Sequence, residues 1–193
     1  MAGGFLLALI SGLFNDAGEA KFDLPAMLRR GNFLNASSMV IRAAVRDEIL
    51  AIETPFIDYR VHLRAARRGL LAQLGQALAV YRINSSGSML SRANDRVRQC
   101  YWEAILDVPR DRVTDADFAR GIADFLRRVI FRSVRARRWS LLREWAPRVY
   151  AVSPYGEMRT SWFVARAFLR AVAVEVAGRL GLLAGGRRVL HRR

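Results

Sequence analysis

Between Phe118 and Pro147 the chain carries a run that is apolar along one helical face and crowded with arginine toward its end. Phe118, Ile122, Phe125, Leu126, Val129 and Ile130 recur three or four residues apart, and Ser133 and Val134 extend the series. At 3.6 residues per turn that spacing gives one wide apolar face, which must be buried against something. Thr114 and Asp115 offer cap oxygens before it, and Asp115 and Asp117 place negative charge where a helix N-terminus favours it. Arg127, Arg128, Arg132, Arg135, Arg137 and Arg138 gather in the C-terminal half and complement the other pole of the dipole. The pattern predicts a central apolar helix near 115–143, with Pro147 closing the segment.

What surrounds that helix also reads as helical. The chain has 193 residues, enough for one domain with a real core, and 52% of them are hydrophobic. Asn35 to Ser38 supply N-cap candidates for a helix through Met39, Ile41, Val45, Ile49 and Leu50, ended by Pro55. A second helix is expected over 55–83, on Val61, Leu63, Leu70, Leu71, Leu74, Leu78 and Tyr81, with Arg60, Arg64, Arg67 and Arg68 largely off that stripe. Asn84 to Ser88 is the clearest turn. A third helix fits 89–107, marked by Leu90, Val97, Tyr101, Ile105 and Leu106 and stopped by Pro109. Residues 149–156 are expected to be irregular. A last helix is expected over 160–183, with Arg166 and Arg170 roughly opposite Glu175 and Arg179, so that no continuous apolar face survives. Those charges argue against a membrane span and for a packed or interfacial helix. No period-two pattern persists, and there is no internal repeat. The expectation is an all-α fold: an irregular N-terminal segment over 1–33, a single globular helical bundle over 34–183, and a basic tail over 184–193.

The charge is lopsided. Formal net charge is +15, and Lys21 is the only lysine among the 32 basic residues. Such an excess fits an anionic partner, either nucleic acid or a membrane surface, or simply a solvated basic face. No nucleic-acid-binding motif accompanies it, so nucleic acid is possible but not favoured. Phe5 to Phe14 could form a short apolar helix, packed on the body or in peripheral contact with a membrane, but too short to span one. Neither it nor any other segment reads as a secretory signal.

Catalysis finds no support. There is no glycine-rich phosphate loop and no nucleophilic triad. Glu48 with Glu53, and Asp115 with Asp117, read as helix surface or caps. His62 and His191 are too isolated for a metal site. Cys100, the single cysteine, lies in a helix beside Tyr101 and Trp102 and reads as a packed thiol. No enzyme activity and no cofactor are expected.

One ordered set of residues has a familiar counterpart. Phe118, Arg120 and Gly121 are followed, across one gap, by Asp124-Phe125-Leu126, then Phe131-Arg132-Ser133, Arg135-Ala136-Arg137-Arg138, Leu142 and Trp145-Ala146-Pro147. Ile105-Leu106-Asp107 extends the likeness upstream. This pattern resembles the small T-antigen family of adenovirus early region one-B, viral relatives of the Bcl apoptosis regulators. It departs from the family at both ends: no tryptophan-rich region precedes Trp102, and the C-terminus is basic where the family's tends to be acidic and proline-containing.

The resemblance implies a Bcl-like bundle that captures the death-promoting helices of host Bax- and Bak-type proteins in an apolar groove. Location would be host cytoplasm and intracellular membranes, at the mitochondrial outer membrane and nuclear envelope. It further implies a groove drawn from Leu74, Leu78, Val97, Tyr101, Phe118, Ile122 and Phe125, although for each of these alone ordinary core packing is the favoured role. Arg120 and Gly121 match, in reversed order, the pair that opens the family's central helix. There the glycine lets a ligand helix approach and the arginine pairs with its aspartate. Two other functions suit the same composition: an arginine-rich accessory subunit of a mitochondrial ribosome or respiratory complex, and an RNA-binding protein.

Overall fold

The computed structural model describes residues 20–34, 39–51, 57–73 and 95–179. The expected elements within 1–19, 74–94 and 180–193, including the Phe5–Phe14 helix, the Asn84–Ser88 turn and the basic tail, lie outside the described residues.

The elements run β1 (Ala20–Phe22), α1 (Leu24–Arg30), a 3-10 turn (Ala43–Val45), α2 (Arg46–Leu50), α3 (Asp58–Arg68), β2 (Leu71–Gln73) and α4 (Asp95–Leu106). A second 3-10 turn (Arg110–Arg112) leads to α5 (Asp115–Ala136), α6 (Trp139–Val152) and α7 (Gly156–Arg179). The fold of the described residues is all-α, apart from one short antiparallel pairing of β1 with β2.

Helix α5 is the hub. It packs against α1, α4, α6 and α7. Thr114 caps its N-terminus by accepting from the Asp117 amide. Its inner face buries Phe118, Ile122, Phe125, Leu126 and Val129. Behind Phe125 stand Trp102 of α4 and Trp145 of α6, ring centroids each 5.2 Å from it, so three helices meet at one aromatic cluster. The apolar core is continuous from Phe22 through Val164.

Five expectations need correction. The segment 20–33 is not irregular throughout: α1 forms there, with Asp23 accepting from the Ala26 amide, Pro25 in the first turn and Gly31 closing it at φ 70°. The helix expected over 55–83 stops at Arg68, because Gly69 follows and the next residues gain more by pairing Leu71–Gln73 with the distant Ala20–Phe22. The same pairing overturns the expectation of no strand.

The central helix ends at Ala136, seven residues early. Arg137 takes a left-handed conformation at φ 53°, and the Arg138 amide closes back on the Ser133 carbonyl. Finally, Pro147 lies inside α6, which runs on to Val152. Both Pro147 and Arg143 face solvent, so the carbonyl deprived of its donor can be hydrated while Trp145 and Val149 remain buried on the other side.

A helix-receiving face on the central helix

The groove residues that the resemblance implies fall into four groups. Phe118, Gly121, Ile122 and Phe125 share one buried face of α5. Tyr101 and Val97 are half-buried on α4, and Leu74 and Leu78 lie outside the described residues. Arg120 is half-exposed at the margin of that face, its Nη1 3.7 Å from Asp117 Oδ1.

The apolar face is not open. It is covered by a helix of the same chain, α1. Leu24, Met27 and Leu28 recur at i, i+3 and i+4 and are all buried. Leu28 sits directly over Gly121: a Cβ built on that glycine would stand 2.7 Å from Leu28 Cγ and 3.1 Å from its carbonyl oxygen. Gly121 thus admits a close helix, and that helix belongs to the same chain. A different ion pair, with its arginine on α1 and its aspartate on α5, also joins the two helices. Arg29 Nη1 donates to Asp117 Oδ1 at 2.6 Å, and Thr114 Oγ1 donates to Asp117 Oδ2 at 2.8 Å. Burial pushes the Asp117 pKa up, but its hydrogen bonds to Arg29 and Thr114 and the positive charges of Arg29 and Arg120 outweigh that, leaving it below the usual carboxylate range.

A polar clasp holds the end of α1 in place. Asp124 accepts from Arg127 Nε at 2.9 Å and from Arg128 Nε at 2.7 Å, and Arg128 reaches on to donate to the Arg30 carbonyl at 3.1 Å. Burial alone would raise the Asp124 pKa, but the Arg128 and Arg127 charges override it and keep the carboxylate ionised. One residue beyond the Gly31 turn, Asn32 Nδ2 donates to Tyr101 Oη at 2.8 Å, while its Oδ1 lies 3.2 Å from Nδ1 of the wholly buried His62. Tyr101 in turn stacks on Tyr59 at 5.5 Å. Burial lowers the His62 pKa, partly opposed by Asp58, so the ring is held neutral.

The arginines divide into two populations. On α3, Arg60 pairs with Glu103, Arg64 with Asp107, Arg67 with Asp107 and Glu48, and Arg68 with Glu48. Arg132, Arg135, Arg137, Arg143, Arg166 and Arg170 form no ion pair with a carboxylate among the described residues. Cys100 is buried and free, with its thiol pKa raised by burial.

The sequence held a signal for α1 that the apolar count alone missed: Asp23 before Leu24-Pro25, then Met27 and Leu28 at helical spacing. Comparison of the chain with protein-family models, with curated proteins and with solved structures returns no match.

Proposed function

We propose that this chain is a viral antiapoptotic protein of the Bcl type, which sequesters the amphipathic death-promoting helices of host Bax- and Bak-type proteins and so suppresses host-cell apoptosis. The observation that carries this reading is the seating of α1 on α5: a helix with anchors at i, i+3 and i+4, and a large side chain laid over Gly121. A surface of that shape suits an amphipathic helix from a partner. The mechanism is capture, with no bond made or broken.

In this reading the partner helix replaces α1. A helix of seven residues has little stability of its own and depends on its docking contacts. A longer partner can extend the same apolar stripe and present an aspartate to Arg120, whose guanidinium is half-exposed beside the site. The work would take place in host cytoplasm and at the mitochondrial outer membrane or nuclear envelope. An accessory subunit of a larger assembly is a weaker reading, because the described residues share one continuous core. RNA binding is weaker too: the α3 arginines are engaged by Glu48, Glu103 and Asp107, and Arg132, Arg135, Arg143, Arg166 and Arg170, without a carboxylate partner among the described residues, are divided over α5, α6 and α7.

The test is fluorescence anisotropy with labelled synthetic Bak-type death helices, paired with amide hydrogen exchange of residues 24–30. Binding at micromolar concentration with loss of protection in α1 is expected, weakened about tenfold by Arg120→Glu. If several unrelated death helices fail to bind, the reading falls. If they bind while α1 stays protected, the site is elsewhere.

A further inference from the structure

Helix α7 is apolar on two opposite sides. Its inner side buries Thr160 and Val164 and packs Phe163 and Phe168 against the core. Its outer side carries Met158, Trp162, Ala165, Leu169, Val172 and Val176, spaced four, three, four, three and four residues apart. At about 100° per residue these six stay within about 40° of a single line. They form the continuous apolar face that the sequence pattern was expected to lack. All six are exposed: Met158 at 87%, Trp162 at 62%, Leu169 at 66% and Val172 at 57%. A stripe about 27 Å long, from Met158 to Val176, is thus presented to the surroundings.

One edge of that stripe is cationic. Arg159, Arg166 and Arg170 lie along it, all exposed, and Arg159 is stacked over Tyr155 at 3.9 Å. Arg166 and Arg170 have no carboxylate partner among the described residues. An apolar face with an exposed tryptophan and a row of unneutralised arginines at its margin is the arrangement that lies flat in an anionic lipid interface, rings and alkyl groups inward and guanidiniums among the phosphates. Charge also decides between occupants. A second copy of this chain would bring another +15 and the same arginine edge, whereas an anionic bilayer neutralises both. No helix among the described residues is long and apolar enough to cross a membrane, so the contact is lateral.

We propose that the Met158–Val176 face of α7 docks on an anionic phospholipid surface, with Arg166 and Arg170 at the headgroups. This surface is separate from the helix-receiving face on α5 and stands whether or not that face captures a partner.

The experiment is co-sedimentation of the full chain with vesicles of equal parts phosphatidylserine and phosphatidylcholine, and with pure phosphatidylcholine. Binding to the anionic vesicles is expected to be at least about tenfold stronger and to weaken with salt. Leu169→Glu with Val172→Glu, at exposed positions, should keep the helical circular dichroism and lose about tenfold or more in affinity. Arg166→Glu with Arg170→Glu should lose affinity for the anionic vesicles only. In the unmutated chain, brominated lipid should quench tryptophan emission, and Trp162→Phe should abolish most of that quenching. Absence of binding to anionic vesicles overturns the proposal, as does binding without quenching or binding indifferent to the Glu substitutions. A lipid-free dimer that the Leu169→Glu, Val172→Glu variant dissolves would overturn it in favour of a seam between copies.

Discussion

Leu28 occupies the space that a side chain on Gly121 would need, its Cγ 2.7 Å from the position of the missing Cβ. The contact ties the fate of α1 to a single glycine on the central helix. Gly121→Ala must push Leu28 and its backbone carbonyl outward. Overpacking of this kind costs about 1–3 kcal/mol, although alanine is the better helix former. Urea unfolding should show the loss, and Leu28→Ala in the same chain should recover part of it. Strict additivity of the two substitutions would mean that the residues do not meet.

By contrast, the candidate groove residues Ile122 and Phe118 are no place to test partner binding. Both are buried in the core, so a charged residue at either position would unfold the body before it altered a surface.

Asp124 should be the most costly carboxylate to remove. Asp124→Ala strips Arg127 and Arg128 of their common acceptor and loosens the bond from Arg128 to the Arg30 carbonyl. A loss of about 2–3 kcal/mol is expected, below that of a fully enclosed pair. The folded-state pKa lies below the ordinary aspartate value of 3.8. Its contribution is therefore complete above that value and fades as pH falls through the lower folded pKa. An acid titration followed by circular dichroism should show the unmutated chain losing this increment and Asp124→Ala lacking it.

His62 acts at milder pH. Its folded pKa is depressed by burial from 6.5. Below 6.5 the unfolded chain takes up a proton that the folded chain refuses, so stability falls as pH falls from about 7 to 5. His62→Gln keeps a donor for Asn32 and should flatten that slope. Denaturation midpoints at the two pH values measure it; an unchanged slope would exclude His62 as its source.

Arg137 ends α5 at φ 53°, where a Cβ is strained. Arg137→Gly removes the strain at a site with no ion pair among the described residues. A gain of about 0.5–1 kcal/mol in the thermal or urea transition is expected. A loss would mean that the arginine makes a contact that outweighs its backbone strain.

What could be seen in the chain before folding was local. Thr114, Asp115 and the recurrence of Phe118, Ile122, Phe125 and Val129 fix where α5 begins and which side it buries, because caps and helical periodicity act within a turn or two. The stripe on α7 was equally present, in the spacing of Met158, Trp162, Ala165, Leu169, Val172 and Val176, because Arg166 and Arg170 interrupt it in sequence but lie along its edge on the helix. Gly69 and Pro147 were harder. The first ended a helix and the second did not, and each outcome depended on partners or solvent remote from it in sequence.

The sequence by itself determined an all-α chain built on one apolar, capped helix, because hydrogen bonding and periodicity within a helix are short-range. The tertiary structure decided which apolar surfaces would be filled and which left open. Seven residues of α1 cover the face of α5, and nothing among the described residues covers the outer face of α7. Burial is set by which elements meet in space, and two equally apolar stripes are indistinguishable until the chain has folded one of them inward.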